Sequence, residues 1–443
     1  MLPGPGPERH PRRRLAGAAQ LAVQPAPAPA TQDYRSRFLV AYAFCATGNH
    51  LSMPYILFLF LQHGVWPHHT AVPMAMGAVV FVVWRVGPWA DRYGRKRLCV
   101  AHCVLLLLLL LLAHFKYSWV MTFGSVLVIL ADAIYQPSFE AWLASECKVQ
   151  GLSGGTRVYT FAAMSIVNQV AKIAKSFTIV LAMGVQYREV YPGANVYIGG
   201  ILRTFELTAL ALAVGMVLIL KLWNENRGAT AKRMSSSGKM FLEAIRILRQ
   251  DADVALVGAL VMCFEGVLNV YGDPTLRDDP KLQQACGGAS FWGIIFGTVV
   301  SSVFEGTLRN TALMLVGCLS CCALALVVIA GTMGHAELLP TSFIGLLAFH
   351  FSIGWYWPVV GALKCDVVPE HLRATFYVLF RFAAQVLGAL MAGTSAPVAF
   401  GRCVVALLAG IACLGALARS PGPSADGQGG GAGGFHDRTL KWV

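Results

Sequence analysis

Several ionisable side chains stand inside long apolar stretches of the chain, among them Asp132, Glu140, Lys172, Lys175, Glu265 and Arg381. Charge in an apolar stretch is expensive, so each of these groups needs a partner or a purpose. Ser125, Asp132, Gln136 and Glu140 are spaced seven, four and four residues apart, which puts them on one face of a helix. Asn168, Lys172 and Lys175 follow at spacings of four and three, again one face. If the first helix descends and the second ascends, Asp132 and Lys172 reach comparable depth. Two chemistries fit. An Asp132–Lys172 ion pair would tie two helices together. Alternatively, Lys172 and Arg381 would draw an oxyanion from opposite sides, a task that suits Arg because its planar fork donates two parallel hydrogen bonds. Glu265 is then either a protonatable coupling group or the neutralising partner of Arg381.

The elements that must hold these groups follow from composition. The 443 residues are 56% hydrophobic and 13% charged. A soluble domain carries about 25% charged residues, so the chain cannot cover a water-exposed surface. Its apolar residues fill about twelve helical spans of roughly 20 residues. Apolar segments fall near 38–61, 70–87, 98–115, 118–143, 158–184, 203–222, 254–271, 289–305, 310–332, 340–363, 374–393 and 397–418. The longest polar break, 223–253, divides them six and six. The predicted organisation is an N-terminal tail (1–37), a six-helix bundle (38–222), a cytosolic central loop (223–253), a second six-helix bundle (254–418) and a Gly-rich tail (419–443). With both termini inside, 25 Lys and Arg fall in inside segments and six in outside ones. That bias sets the orientation. It also accounts for the net charge of +13 without a nucleic-acid partner.

One loop has a sharper pattern: Gly87-Pro-Trp-Ala-Asp91-Arg92-Tyr-Gly94-Arg95-Lys96-Arg97, between spans two and three. Gly87 and Gly94 permit a tight turn. Asp91 can hydrogen-bond a helix N-terminus or an Arg. The basic residues suit the anionic cytoplasmic surface. The string resembles the signature loop of the major facilitator superfamily, with Trp89 in place of the usual small aliphatic residue. The resemblance implies two six-helix halves related by a parallel repeat, a substrate between them, and a cytoplasmic gating loop made of Gly87, Asp91, Arg92, Gly94, Arg95 and Lys96. Internal echoes agree: Arg157-Val-Tyr-Thr-Phe161 opens span five and Arg373-Ala-Thr-Phe-Tyr377 opens span eleven, while Glu305-Gly306…Arg309 stands where the loop would repeat.

A narrower resemblance rests on Ser138-Phe-Glu140-Ala-Trp142, Phe264-Glu265-Gly266, Tyr356-Trp-Pro358 and Val368-Pro369-Glu370-His-Leu-Arg373-Ala-Thr375…Phe380-Arg381. In this order the set is similar to the molybdate-anion transporter family, from about Tyr34 to Ala392. It implies a secondary transporter that moves molybdate or a similar oxyanion by alternating access, with coupled protons as an option. The implied pathway is Asn49, Asp132, Glu140, Asn168, Lys172, Glu265 and Arg381. The chain departs from that family in places: Asn49 replaces an Asp, Gly124-Ser125 a Gly-Arg, and Ala383 a Pro, while the segment between Glu265 and Pro274 is short.

Other chemistry is unsupported. Gly151-Leu-Ser153-Gly-Gly155 spells a hydrolase elbow but lacks the preceding strand. There is no phosphate-binding loop for ATP. Cys318, Cys321 and Cys322 have no His or acid nearby, and His63, His68 and His69 read as a solvated loop, so no metal or cofactor is expected. The Arg12–Arg14 start only loosely mimics a signal peptide. The expectation is a monomeric, multi-pass, non-enzymatic protein of the plasma membrane, with an organellar membrane as the alternative. A carrier of sugar or another organic solute, or a non-transporting transceptor or scaffold, are the competing readings.

Overall fold

Long apolar runs in a low-dielectric medium satisfy their backbone groups by coiling, and helices account for nearly all the regular structure. The computed structural model describes residues 29–62, 81–183, 185–227, 236–271, 280–303, 308–332, 335–392 and 395–419. The His63–His69 loop, the Glu305–Gly306 echo, residues 1–28 and residues 420–443 lie outside these residues, while residues 29–37, expected in the tail, are the helical start of α1. The first half comprises α1 (Pro29–Gln62), a π-helical turn (Val82–Val86) that runs into α2 (Gly87–Tyr93), α3 (Arg95–Leu112), α4 (Ser118–Val149), α5 (Gly154–Met183) and α6 (Leu202–Leu222). A linker helix, α7 (Ser237–Gln250), follows. The second half comprises α8 (Ala252–Tyr271), α9 (Pro280–Val303), α10 (Leu308–Thr332), α11 (Leu339–Val367), α12 (Arg373–Met391) and α13 (Ala396–Leu417). Among the described residues, seven of these helices are both long and apolar enough to cross a membrane.

Two elements depart from the expectation. The central break is not all loop: α7 is amphipathic, capped by Ser236, whose Oγ accepts from Lys239 N, and it buries Met240 and Ala244. Its alternation of apolar and basic residues has the helical period. Between spans five and six, a short hairpin pairs β1 (Arg188–Glu189) with β2 (Tyr197–Ile198). Ser153, the serine of the false elbow, begins α5: its carbonyl accepts from Arg157 N, and its hydroxyl accepts from Thr156 N. No strand precedes it.

Small residues allow close helix approach where lipid gives no hydrophobic drive. A Cβ on Gly297 or Gly354 would meet the backbone carbonyl of Phe351 or Ile294, so α9 and α11 press backbone to backbone. A Cβ on Gly361 would lie 2.7 Å from the Phe161 ring, at the meeting of α11 and α5. The halves therefore touch along two seams, α5 against α9 and α11, and α2 and α4 against α12. Inside the first half, Trp142 and Trp223 stack 4.2 Å apart and Phe38 stacks on both. Trp142 and Phe139 of the Ser138–Trp142 motif are thus core residues.

Candidate functional site

The signature loop closes one end of the bundle. Gly94, at φ 129°, makes the turn between α2 and α3. Gly87 does not turn the chain: it sits in helical backbone, and its missing side chain lets α2 approach Thr375, whose Cα would be 2.8 Å from a Cβ there. That corrects the expectation of a shared turn role for both glycines. The approach delivers Asp91 to the first turn of α12. Asp91 Oδ1 accepts from Ala374 N at 3.0 Å, and Oδ2 from Thr375 N and Thr375 Oγ1, both at 2.9 Å. A carboxylate on the exposed N–H groups of a helix start is well placed electrostatically. Arg95, wholly buried, holds Asp91 Oδ1 at 2.8 Å and reaches Glu370 and Ser145. Arg373, also wholly buried, pairs with Glu370 and donates to Ser145 Oγ at 2.9 Å. Arg157 pairs with Asp366. Both echo arginines, Arg157 and Arg373, are therefore parts of one seal.

Lys96 of the same loop acts within the first half. Lys96 Nζ donates to the carbonyls of Leu220 at 2.9 Å and Trp223 at 2.7 Å, neutralising the C-terminal end of α6. Arg92 stacks over Tyr93 at 5.1 Å. Arg95 crosses to the second half, where it reaches Glu370. Beneath Gly94, burial pushes the Glu225 carboxyl above its ordinary range, against the opposing pull of the Lys96 N–H and Arg97.

Beyond the seal, between the two halves, lies the second cluster. Gln136, Pro137 and Glu140 from α4, Val261 and Glu265 from α8, Lys364 from α11, and Tyr377, Phe380 and Arg381 from α12 line a cavity with about 10 Å3 of space for water centres. That is room for about one water. Lys364 Nζ is 2.6 Å from Glu140 Oε1, with both side chains under 10% exposed, and 4.7 Å from the Tyr377 ring centre. Arg381 Nη1 lies 3.1 Å from Gln136 Oε1 and 3.6 Å from Glu265 Oε2. Among the described residues, Tyr377 OH and Arg381 Nε are buried polar atoms without a hydrogen-bond partner. The first half thus supplies acceptors, Glu140 and Gln136, to cations of the second, Lys364 and Arg381.

The remaining pathway residues lie elsewhere. Asn168 Oδ1 gathers Tyr42 OH and Tyr135 OH at 3.3 Å and His50 Nε2 at 2.8 Å, a polar aromatic cluster inside the first half. Asn49 is buried in α1. Asp132 is half-buried, and Lys172 is exposed on α5. The Asp132–Lys172 ion pair does not form among the described residues, because α4 and α5 share little contact while α1 packs against both. Of the two readings of Glu265, its pairing with Arg381 is the one the geometry contains.

Lys364 is the member of the central cluster that sequence reasoning missed. It stands near the end of a span and counts arithmetically as a loop-margin cation. The available signal was its apolar bracket, Val359-Val-Gly-Ala-Leu363 before it and Val367-Val368 after Cys365 and Asp366.

Twelve spans in two interlocking halves, a carboxylate latch on one face and paired charges at the centre define a multi-pass membrane transporter of the major facilitator class. A family model described as sugar transporters with 12 transmembrane segments matches residues 16–334, and the chain belongs to that family within the major facilitator superfamily. Among curated proteins, it is 25% identical to the molybdate-anion transporter of Xenopus tropicalis over 82% of this chain and 79% of that one. It is likewise 25% identical to that of Xenopus laevis over 87% and 86%. Among solved structures, the E. coli fucose:proton symporter superposes with a TM-score of 0.65 at 10% identity, covering 87% of this chain and 99% of that one. A bacterial homologue of ferroportin in an outward-facing state gives 0.62 at 14% identity, covering 87% and 99%.

Proposed function

We propose that the chain carries molybdate or a chemically similar tetrahedral oxyanion by alternating access, in the plasma membrane. The supporting observation is the central pair of cations, Lys364 and Arg381, each neutralised by a carboxylate of the protein and adjoining the unpartnered donors Arg381 Nε and Tyr377 OH. The names of the Xenopus relatives point the same way. In this reading, the resting cations keep Glu140 and Glu265 as internal anions. An entering oxyanion takes over the guanidinium fork of Arg381, and the displaced carboxylate either stays charged or takes a proton. Proton uptake at that step couples transport to a pH gradient, since unpaired charge is costly at this depth. Asn168 with its tyrosines, Asp132 and Lys172 serve as the first-half face of the pathway. The latch around Asp91 and Arg95 opens and closes the cytoplasmic exit.

The test is uptake of molybdate into liposomes that hold the purified chain, with and without a pH gradient. Uptake that tungstate inhibits and hexoses do not is expected, with Arg381→Ala abolishing it and Lys172→Ala weakening it while protein stays in the membrane. Wild-type uptake in the double variant would remove the anion site. A second reading, a sugar carrier, is favoured by the family model's description, and hexose inhibition would select it. Absence of counterflow for both solute classes would select a scaffold.

A further inference from the structure

The outer face of the π turn and α2 carries residues that neither the latch nor the central cavity uses. Phe81, Trp84, Trp89 and Tyr93 are between 38% and 55% exposed, and Arg85 is exposed among them. They recur at steps of three to five residues, so they form one stripe opposite buried Gly87, Ala90 and Asp91. Aromatic side chains in such a stripe mark the membrane–water boundary. Trp89 belongs to it, which gives the unusual residue of the signature loop a place facing outward rather than toward the latch.

Arg85 is the informative member. It lies six residues before Asp91, about 9 Å along a helix axis, and so close to the cytoplasmic boundary. Its guanidinium sits 5.1 Å from the Trp84 ring, and no carboxylate pairs with it among the described residues. A cation on the outer surface at that depth extends its stem along the helix and places its charge among headgroups. The linker helix closes on the same spot. A side-chain carbon on Gly238 of α7 would lie 3.9 Å from Trp84 Nε1. The next residue, Lys239, is exposed. Helix α7 packs in turn against α2, α8 and α12.

We propose that Trp84, Arg85 and Lys239 form a site for the phosphodiester of an anionic phospholipid of the cytoplasmic leaflet. The guanidinium and the ammonium meet the phosphate charge, the indole N–H adds a donor, and Phe81 and Trp84 border the acyl chains. Because α7 reaches both halves, the bound lipid fastens the linker helix to the first half where the latch is closed. Binding is independent of what the protein carries.

The test is native mass spectrometry of the full chain in detergent, titrated with phosphatidylglycerol or phosphatidylcholine. Phosphatidylglycerol should bind the wild type more tightly. A cation near the surface adds about 1 kcal/mol, so Arg85→Gln should weaken phosphatidylglycerol binding about fivefold and R85Q/K239Q about 25-fold. Arg85→Lys should retain most of the affinity, and Arg203→Gln on the opposite face all of it. Melting temperatures without added lipid establish that the variants fold. Equal binding of the two lipids by the wild type, or wild-type phosphatidylglycerol affinity in R85Q/K239Q, would overturn the site. Displacement of the lipid by soluble glycerol phosphate would overturn it as a lipid site and leave a phosphate site.

Discussion

Replacing Asp91 by Asn should unlock the latch between the two halves. In the closed arrangement, Asp91 accepts three hydrogen bonds from the first turn of α12 and two from Arg95. Asparagine keeps one oxygen and turns the other position into a donor, facing either Arg95 or the Thr375 N–H and hydroxyl. It also removes the charge that answers both Arg95 and the α12 dipole. Removing one partner of a buried, hydrogen-bonded ion pair costs about 3–5 kcal/mol. Arg95 keeps Glu370, which places the cost near the lower end, about 3 kcal/mol. That shifts the closed-to-open ratio by about 100-fold. Spin labels at Val149 and Ala418, both exposed at the C-terminal ends of α4 and α13, would report it as a distance by pulsed electron resonance. The expected result is one short distance in the wild type and a dominant longer one in D91N. Arg97→Gln is the control, since Arg97 pairs at 3.8 Å with Glu225 inside the same half. An unchanged distance distribution in D91N would refute the reasoning that this carboxylate holds the halves together.

Other consequences can be measured alongside. Glu140→Gln and Lys364→Met should each cut initial molybdate uptake tenfold or more, and the reversed pair E140K/K364E should recover part of it; strictly additive losses would mean the pair does not act as a unit. Gly87→Val should overpack the α2–α12 crossing by about 1–3 kcal/mol and lengthen the same spin-label distance, whereas Gly151→Ala, at an open turn, should not. Because burial raises the Glu225 carboxyl, its charged form disfavours the fold: stability should rise as pH falls through that raised value. Glu225→Gln should flatten this pH dependence of the melting temperature, and an unaltered profile would count against the buried setting of that group.

The span pattern was legible because helix length and hydropathy are local properties. The segments read near 203–222 and 254–271 reappear as α6 and α8 within two residues at each end. The latch was legible in part. Asp91 was read as a group for a helix N-terminus or an Arg, and it holds both. Which helix it would cap was not readable, since Thr375 is 284 residues away. The π turn does not interrupt hydropathy, and the hairpin's strands, two residues each, are too short to show an alternating pattern. Helix α7 was hidden by its polar half, which reads as loop until its period is counted.

By itself, the sequence determined that the chain lives in a bilayer and which charges are too costly to be ornamental. Those conclusions need only the free energy of placing each residue type in hydrocarbon. The tertiary structure decided the partners. Asp132 and Lys172 matched in depth but not in position, because α1 packs against both of their helices. Glu140 found Lys364 and Arg381 found Gln136, across 224 and 245 residues respectively. Pairing of buried charge depends on distances of a few ångströms between separate helices, and only the packing of small residues such as Gly87, Gly297 and Gly361 sets those.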